Sequence, residues 1–161
     1  MAHRMLILCA ERSRRSAVAT LCDDYLRRLE RYNIRATLDE CTRTSGSDRA
    51  HAIEQQTQRV LDRIEPDDYV VVLDERGTQL SSDEFARLVE RVLEERHRRI
   101  VFVVGGAYGI GERLRRRADT VLSLGRMTLP HELARVVLCE QLYRALTILR
   151  GEPYHHGATD E

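Results

Sequence analysis

Four short segments carry the residue types that could do chemistry. GGAYG, at 105–109, follows an apolar run and precedes a helix-like stretch. Glycines in that place let backbone approach a ligand closely and permit positive φ. The segment is neither GxGxxG nor a P-loop ending in GK[ST], so the common nucleotide fingerprints are absent. By itself it is equally a tight strand-to-helix turn. LDERG, at 73–77, reads as a strand end and a turn closed by Gly77. Its Asp74 and Glu75 suit either acid–base work or a solvated turn. SLGRMTLPHE, at 123–132, joins a glycine turn to a proline that opens a helix. GEPYHH, at 151–156, ends in Tyr154, His155 and His156. Two adjacent histidines with no third ligand in register do not make a metal site, and no metal is expected.

Alternating strands and helices must position these segments. Apolar runs at 5–10, 34–38, 69–73, 100–104 and 120–124 read as strands; YVVVL and IVFVV have the continuous β-branched character of strands covered on both faces. Helical spacing runs through 14–32 and 49–64, from a Ser81–Glu84 capping box to residue 95, through 112–118, and from Pro130 to about 149. This order predicts an α/β fold, a parallel sheet with helices on both faces. Ligands of such sheets sit beyond the carboxyl ends of the strands, where three of the four segments fall. The last helix places His131, Arg135, Leu138 and Leu142 on one side, and Val137, Glu140, Gln141, Arg144 and Ile148 on another. Two partly apolar surfaces predict that one of them meets a second subunit. The polar stretch at 42–48 is the expected flexible loop.

The 161 residues suffice for one domain with a real core, since 42% are apolar. Net charge is zero, and no run is long enough to span a bilayer. The N-terminal apolar stretch is too short for a signal peptide, so a cytoplasmic protein is expected. Every one of the 26 basic residues is Arg, which reads as the nucleotide bias of a GC-rich genome. Residues 91–150 nevertheless carry 12 Arg against 6 acidic residues. Arg113, Arg115, Arg116, Arg117 and Arg126 stand near the glycine turns, which suits an anionic partner or a solvated helix face. Cys9, Cys22, Cys41 and Cys139 form no CxxC pair. Cys9 and Cys139 sit in apolar runs and read as small core residues.

Taken together, LDERG with Ser81 and Ser82, GGAYG, and the run LSLGRMTLPHELARVVLCEQLYRALTILRGEPYHH resemble the RlmH family of SPOUT-class methyltransferases. The resemblance covers nearly the whole chain and is strongest from Leu73 to His156. It implies a single SPOUT domain over 1–161 with a trefoil knot at about 73–156, working as a homodimer. It implies S-adenosylmethionine as cofactor and N3 of a pseudouridine in large-subunit (23S) ribosomal RNA as methyl acceptor. Carried over residue by residue, the cofactor pocket would comprise Leu73, Gly105, Leu124, Gly125, Arg126, Met127, Thr128 and Leu129. The substrate side would comprise Arg135, Arg144, Tyr154 and His155, with the tail reaching the partner's site. His155 would serve as base or proton relay, Arg135 or Arg144 would stabilise the imide anion, and Tyr154 would stack on the base.

Two features depart from the family. A glycine-and-lysine turn usually follows the first strand, where this chain has CAERSRR at 9–15; and GATDE extends the tail at 157–161, expected to be disordered. Two other classes compete with the enzyme: a non-catalytic ribosome-binding assembly factor, and a SPOUT transfer-RNA methyltransferase. An intact pocket and tail disfavour the first, and the short chain leaves little room for the RNA-binding extension usual in the second.

Overall fold

The continuous apolar runs become the strands of one sheet, because a strand apolar on both faces is stable only between two layers. A computed structural model of the chain describes residues 2–41, 48–95, 97 and 99–156. The expected flexible loop, apart from Asp48, and the 157–161 extension lie outside them. Five strands, β1 (His3–Cys9), β2 (Ile34–Glu40), β3 (Tyr69–Gln79), β4 (Ile100–Val104) and β5 (Thr120–Ser123), pair in parallel in the order β2-β1-β4-β3-β5. Helices α1 (Ser16–Arg28), α2 (Arg49–Leu61), α3 (Ser82–Glu94), α4 (Glu112–Arg117) and α5 (His131–Leu149) cover it. One face buries Ile7, Val71 and Phe102 beneath Val18, Phe85 and Leu142 of α1, α3 and α5. The other buries Leu8, Val72 and Val103 beneath Val60 of α2 and Leu114 of α4. The strand order is consistent with the trefoil knot implied by the resemblance.

LDERG does not turn after Leu73. The strand runs on to Gln79, and its pairing with β5 slips there: Leu122 stands opposite both Leu73 and Thr78. Residues 74–77 therefore form a bulge that lifts Asp74 and Glu75 off the sheet. Gly77 is required by proximity, since a Cβ there would lie 2.6 Å from the Val121 carbonyl oxygen. The glycine that reads as a turn is the place where β5 crosses the bulge.

Helix ends follow local chemistry where local chemistry is present. At α3 the Ser81 hydroxyl accepts from Glu84 N–H at 3.1 Å, and Glu84 accepts from Ser81 N–H at 2.8 Å. At α1 the N-cap residue is Arg15, which supplies no capping side chain. Glu132 of α5 does so from a distance: its carboxylate accepts from the Ser13 hydroxyl and from the N–H groups of Arg14 and Arg15. The first turns of α1 and α5 are thus locked together.

Arg135 is the largest fully buried side chain, 1% exposed. Its guanidinium donates to Glu40 Oε2 at 2.7 Å and to the Glu11 carbonyl at 2.9 Å, so it ties α5 to the ends of β1 and β2. Burial would raise the Glu40 carboxyl, but the bonds from Arg135 and from Ser13 N–H outweigh it and hold it below the usual range. All four cysteines are free and buried, and burial pushes the Cys9 thiol up to about 12, the reverse of what a nucleophile needs.

Removing the carboxylate leaves Arg135 without its counter-charge. Glu40→Ala should lower the unfolding free energy by about 3 kcal/mol in urea titrations. The Glu40 contribution should be complete above the ordinary carboxylate range and fade as pH falls through its depressed value.

Candidate active site

Beyond the carboxyl ends of β3, β4 and β5, three segments enclose a cleft of about 300 Å³. Leu73 ends the apolar part of β3, Gly105 follows β4, and Leu124, Gly125, Met127, Thr128 and Leu129 follow β5; all line it. Arg126, from the same stretch, is not among the lining residues. Distant parts of the sequence meet here because the parallel strands all end on this side.

The walls are held by short contacts. Ser123 Oγ donates to the Gly125 carbonyl at 2.9 Å and accepts from Gly125 N–H at 3.2 Å, fixing a loop whose Gly125 has φ of 152°. The glycine turn closes on itself through Gly109 N–H to the Gly106 carbonyl, 3.1 Å, with Gly109 at φ 88°. Thr128 donates to Glu75 at 3.1 Å, tying the third segment to the bulge. Asp74 accepts from Arg115 at 2.6 Å. Burial alone would raise the Asp74 carboxyl, but Arg115 and the Arg76 N–H hold it below its usual range. The lining also includes Arg49, Tyr108 and His131, none of them among the predicted pocket residues. Arg49 opens α2, and its guanidinium stands 5.6 Å over the Tyr108 ring. Its place beside GGAYG is set by packing between remote elements, which no spacing announces.

The expected substrate residues form a second constellation. Arg144 grips Glu140 through Nη2 at 2.7 Å and Nε at 3.3 Å. Tyr154 donates to the same carboxylate at 2.8 Å and lies under the Arg144 guanidinium at 4.7 Å. Arg144 Nη1 is 3.1 Å from His155 Nδ1, and His155 Nε2 is 3.4 Å from Asp83. Burial would raise Glu140, but Arg144 and Tyr154 together hold it low. The Tyr154 phenol is pushed up, first by burial and then by the carboxylate beside it. The segment at 151–156 is therefore docked on α5, with the Tyr154 ring packed edge-on against Tyr143 at 4.8 Å.

Three of the four predicted substrate residues thus stand together. Arg135 does not join them. Helical spacing correctly puts it on a different face from Arg144, but that face is the core, and the guanidinium is spent on Glu40. Nor does the chain bring the two constellations together. Ala134 lines the cleft, and Arg144 lies ten residues further along α5, about 15 Å at 1.5 Å per residue. Beside the cleft, just before and at the start of α5, runs an uncovered apolar strip: Met127 is 84% exposed, Leu133 44% and Leu129 37%.

Comparison with known proteins decides the lineage. The family model described as "Predicted SPOUT methyltransferase" matches residues 3–155. The chain belongs to the SPOUT methyltransferase family. Among curated SPOUT relatives, it is 38% identical to "Ribosomal RNA large subunit methyltransferase H" of Syntrophotalea carbinolica, over 95% of this chain and 99% of that one. It is 40% identical to the protein of the same name from Gloeobacter violaceus, over 96% and 99%. A solved structure, "Probable Methyltransferase from Bordetella pertussis Tohama I", superposes with a TM-score of 0.54 at 15% identity, covering 90% of this chain and 95% of that one, and speaks for the fold. This SPOUT chain is a methyltransferase with the α/β sheet its sequence predicts. No helix among its described residues is long and apolar enough to cross a membrane.

The Glu140 carboxylate is what docks the tail of this SPOUT protein. Glu140→Gln weakens three charge-assisted bonds at once, two from Arg144 and one from Tyr154, so amide hydrogen exchange at 152–156 should quicken roughly tenfold or more. Acidification should release the segment only when pH falls through the depressed Glu140 value.

Proposed function

We propose that this chain transfers a methyl group from S-adenosylmethionine to N3 of a pseudouridine in large-subunit ribosomal RNA, as a homodimer in the cytoplasm. The observation that carries the reading is the separation of two well-formed half-sites by one rigid helix, with an uncovered apolar strip beside the cleft. A second copy laid on that strip would bring its docked tail to this cleft. The names of the curated relatives support the ribosomal substrate.

The residues present fit the cofactor. A cleft of about 300 Å³ is at the lower end of small-molecule sites. Leu73, Leu124 and Leu129 offer flat apolar contact for an adenine, and Gly105 and Gly125 bring backbone close without a side chain between. When bound, S-adenosylmethionine supplies a methyl already activated on a sulfonium. What remains for the protein is orientation and management of one proton.

The acceptor N3–H must lose that proton. An arginine can only donate, so the 3.1 Å contact makes His155 Nδ1 the acceptor of Arg144 Nη1. The histidine is therefore engaged while Arg144 faces inward. Turning Arg144 toward an imide oxygen would both stabilise the developing anion and free Nδ1 to take the proton. Tyr154, held by Glu140, would supply the stacking face. Arg135 would act from within the core, by fixing α5.

Ribosomes lacking the modification should acquire label from methyl-labelled S-adenosylmethionine, and nucleoside mass spectrometry should show methylated pseudouridine. Gly105→Trp should abolish incorporation, because even a Cβ there would lie 2.9 Å from Ile110 Cγ2 and an indole would fill the cleft. His155→Ala and Arg144→Ala should slow single turnover by about a hundredfold or more. Near-normal single-turnover rates in both would remove them from the mechanism.

A further inference from the structure

The glycine turn presents an aromatic ring to solvent. Tyr108 lines the cleft and is 48% exposed. A single exposed apolar side chain is ordinary on a protein surface; the surroundings of this one are not. The turn that carries it is pinned twice, by Gly109 N–H donating to the Gly106 carbonyl at 3.1 Å and by Ala107 N–H donating to Glu11 Oε1 at 3.3 Å. Glu11 is held in turn by Nε2 of the buried Gln56 at 3.0 Å. Tyr108 is therefore a stiff side chain on a fixed turn, and little freedom is lost when something settles on it. Its hydroxyl makes no hydrogen bond among the described residues, so the ring is the part left to bind.

The charge beside the ring is uncompensated. The Arg49 guanidinium, 5.6 Å over Tyr108, has no carboxylate partner among the described residues. Arginines elsewhere on the surface do: Arg27 has Asp23 at 2.7 Å, Arg28 has Asp24 at 3.0 Å and Arg91 has Glu95 at 2.8 Å. Arg14, Arg15 and Arg126 share the unpaired state of Arg49, and all are exposed. Glu132 fixes the backbone N–H groups of Arg14 and Arg15 beside His131 of the lining, and Arg126 stands between Gly125 and Met127, which both line the cleft. Free guanidinium groups thus border the cleft from three parts of the chain. A rigid π face with free positive charge around it is what grips a single-stranded nucleotide: the ring stacks on a base of any identity, and the guanidinium meets its phosphate. The cofactor's adenine has its own apolar wall in Leu73, Leu124 and Leu129, which leaves Tyr108 to the RNA.

We propose that Tyr108 stacks on a nucleobase flanking the methyl-accepting pseudouridine, with Arg49 meeting that nucleotide's phosphate. This rests on large-subunit ribosomal RNA being the substrate. Both are RNA-docking residues and take no part in the methyl transfer itself.

Steady-state methylation of ribosomes lacking the modification tests it, with calorimetric titration of S-adenosylmethionine run on the same full-chain variants. Tyr108→Ala should raise KM for ribosomes about tenfold or more, leave kcat within about twofold, and leave cofactor affinity unchanged. Tyr108→Phe and Tyr108→Trp, which keep a π face, should behave as the unaltered chain; Tyr108→Leu, which keeps bulk without one, should behave as Tyr108→Ala. Arg49→Ala should raise KM and flatten its dependence on salt by about 0.7 in logarithmic slope, the loss of one single-strand phosphate contact. An unchanged KM in Tyr108→Ala overturns the inference. So does a normal KM in Tyr108→Leu, which would mean an apolar contact with a ribosomal protein; so does cofactor affinity falling along with the ribosome affinity, which would give the ring to the adenine. A lower oligomeric mass of Tyr108→Ala in ultracentrifugation assigns the ring to a subunit interface and overturns it as well. Should Tyr108→Ala lose its melting transition, Tyr108→Leu set against Tyr108→Trp decides by the same criteria. If the unaltered protein methylates no ribosomes, the proposed function itself fails and takes this inference with it; methylation that the Tyr108 variants leave untouched overturns this inference alone.

Discussion

The middle strands of the sheet are apolar on both faces, and a parallel sheet of that kind can exist only when two layers of helix exclude water from it. That constraint drives polar and reactive groups out of the centre. Val70 to Val72 and Val101 to Val103 carry no chemistry and could carry none without an unpaired polar atom in the core. Glycines and charged residues gather where the strands stop. Since all five strands point the same way, three stops from distant parts of the chain converge on a single cleft.

Helix α5 is the second determinant. Its inner side buries Leu138, Cys139 and Leu142 in the core and spends Arg135 on the ends of β1 and β2. Its first turn closes the cleft with His131 and caps α1 through Glu132. Its last turns hold Arg144 and Glu140, against which the chain folds back as far as His155. A nineteen-residue helix that takes part in the core, the cleft and the tail cannot shift in one of these roles without disturbing the others.

Sequence made the strands legible because their signal is local: a run such as IVFVV needs no knowledge of its neighbours. The Ser81–Glu84 capping box was legible for the same reason. The bulge at 74–77 was not, since Gly77 is explained by the approach of β5, more than forty residues away. The depth of Arg135 was equally hidden; periodicity gives the face of a helix but not what lies against it, and only Glu40 in place shows that the face is the core. Most of the cleft could be named from the family pattern. Arg49 could not, because it reaches the cleft from α2, whose own sequence carries no binding motif. The docking of Tyr154 and His155 on Glu140 was similarly masked by the ordinary expectation that a tail is loose.

The rigidity of α5 also has a genetic meaning. In the proposed dimer, each working site draws its cleft from one copy and its tail residues from the other. A copy damaged at Gly105 and a copy damaged at His155 would then assemble into a pair with one intact site and one doubly broken site. Two copies damaged in the same half could never do so. Defects in this protein would therefore sort into two complementation groups within a single gene, divided by the length of a helix rather than by a domain boundary.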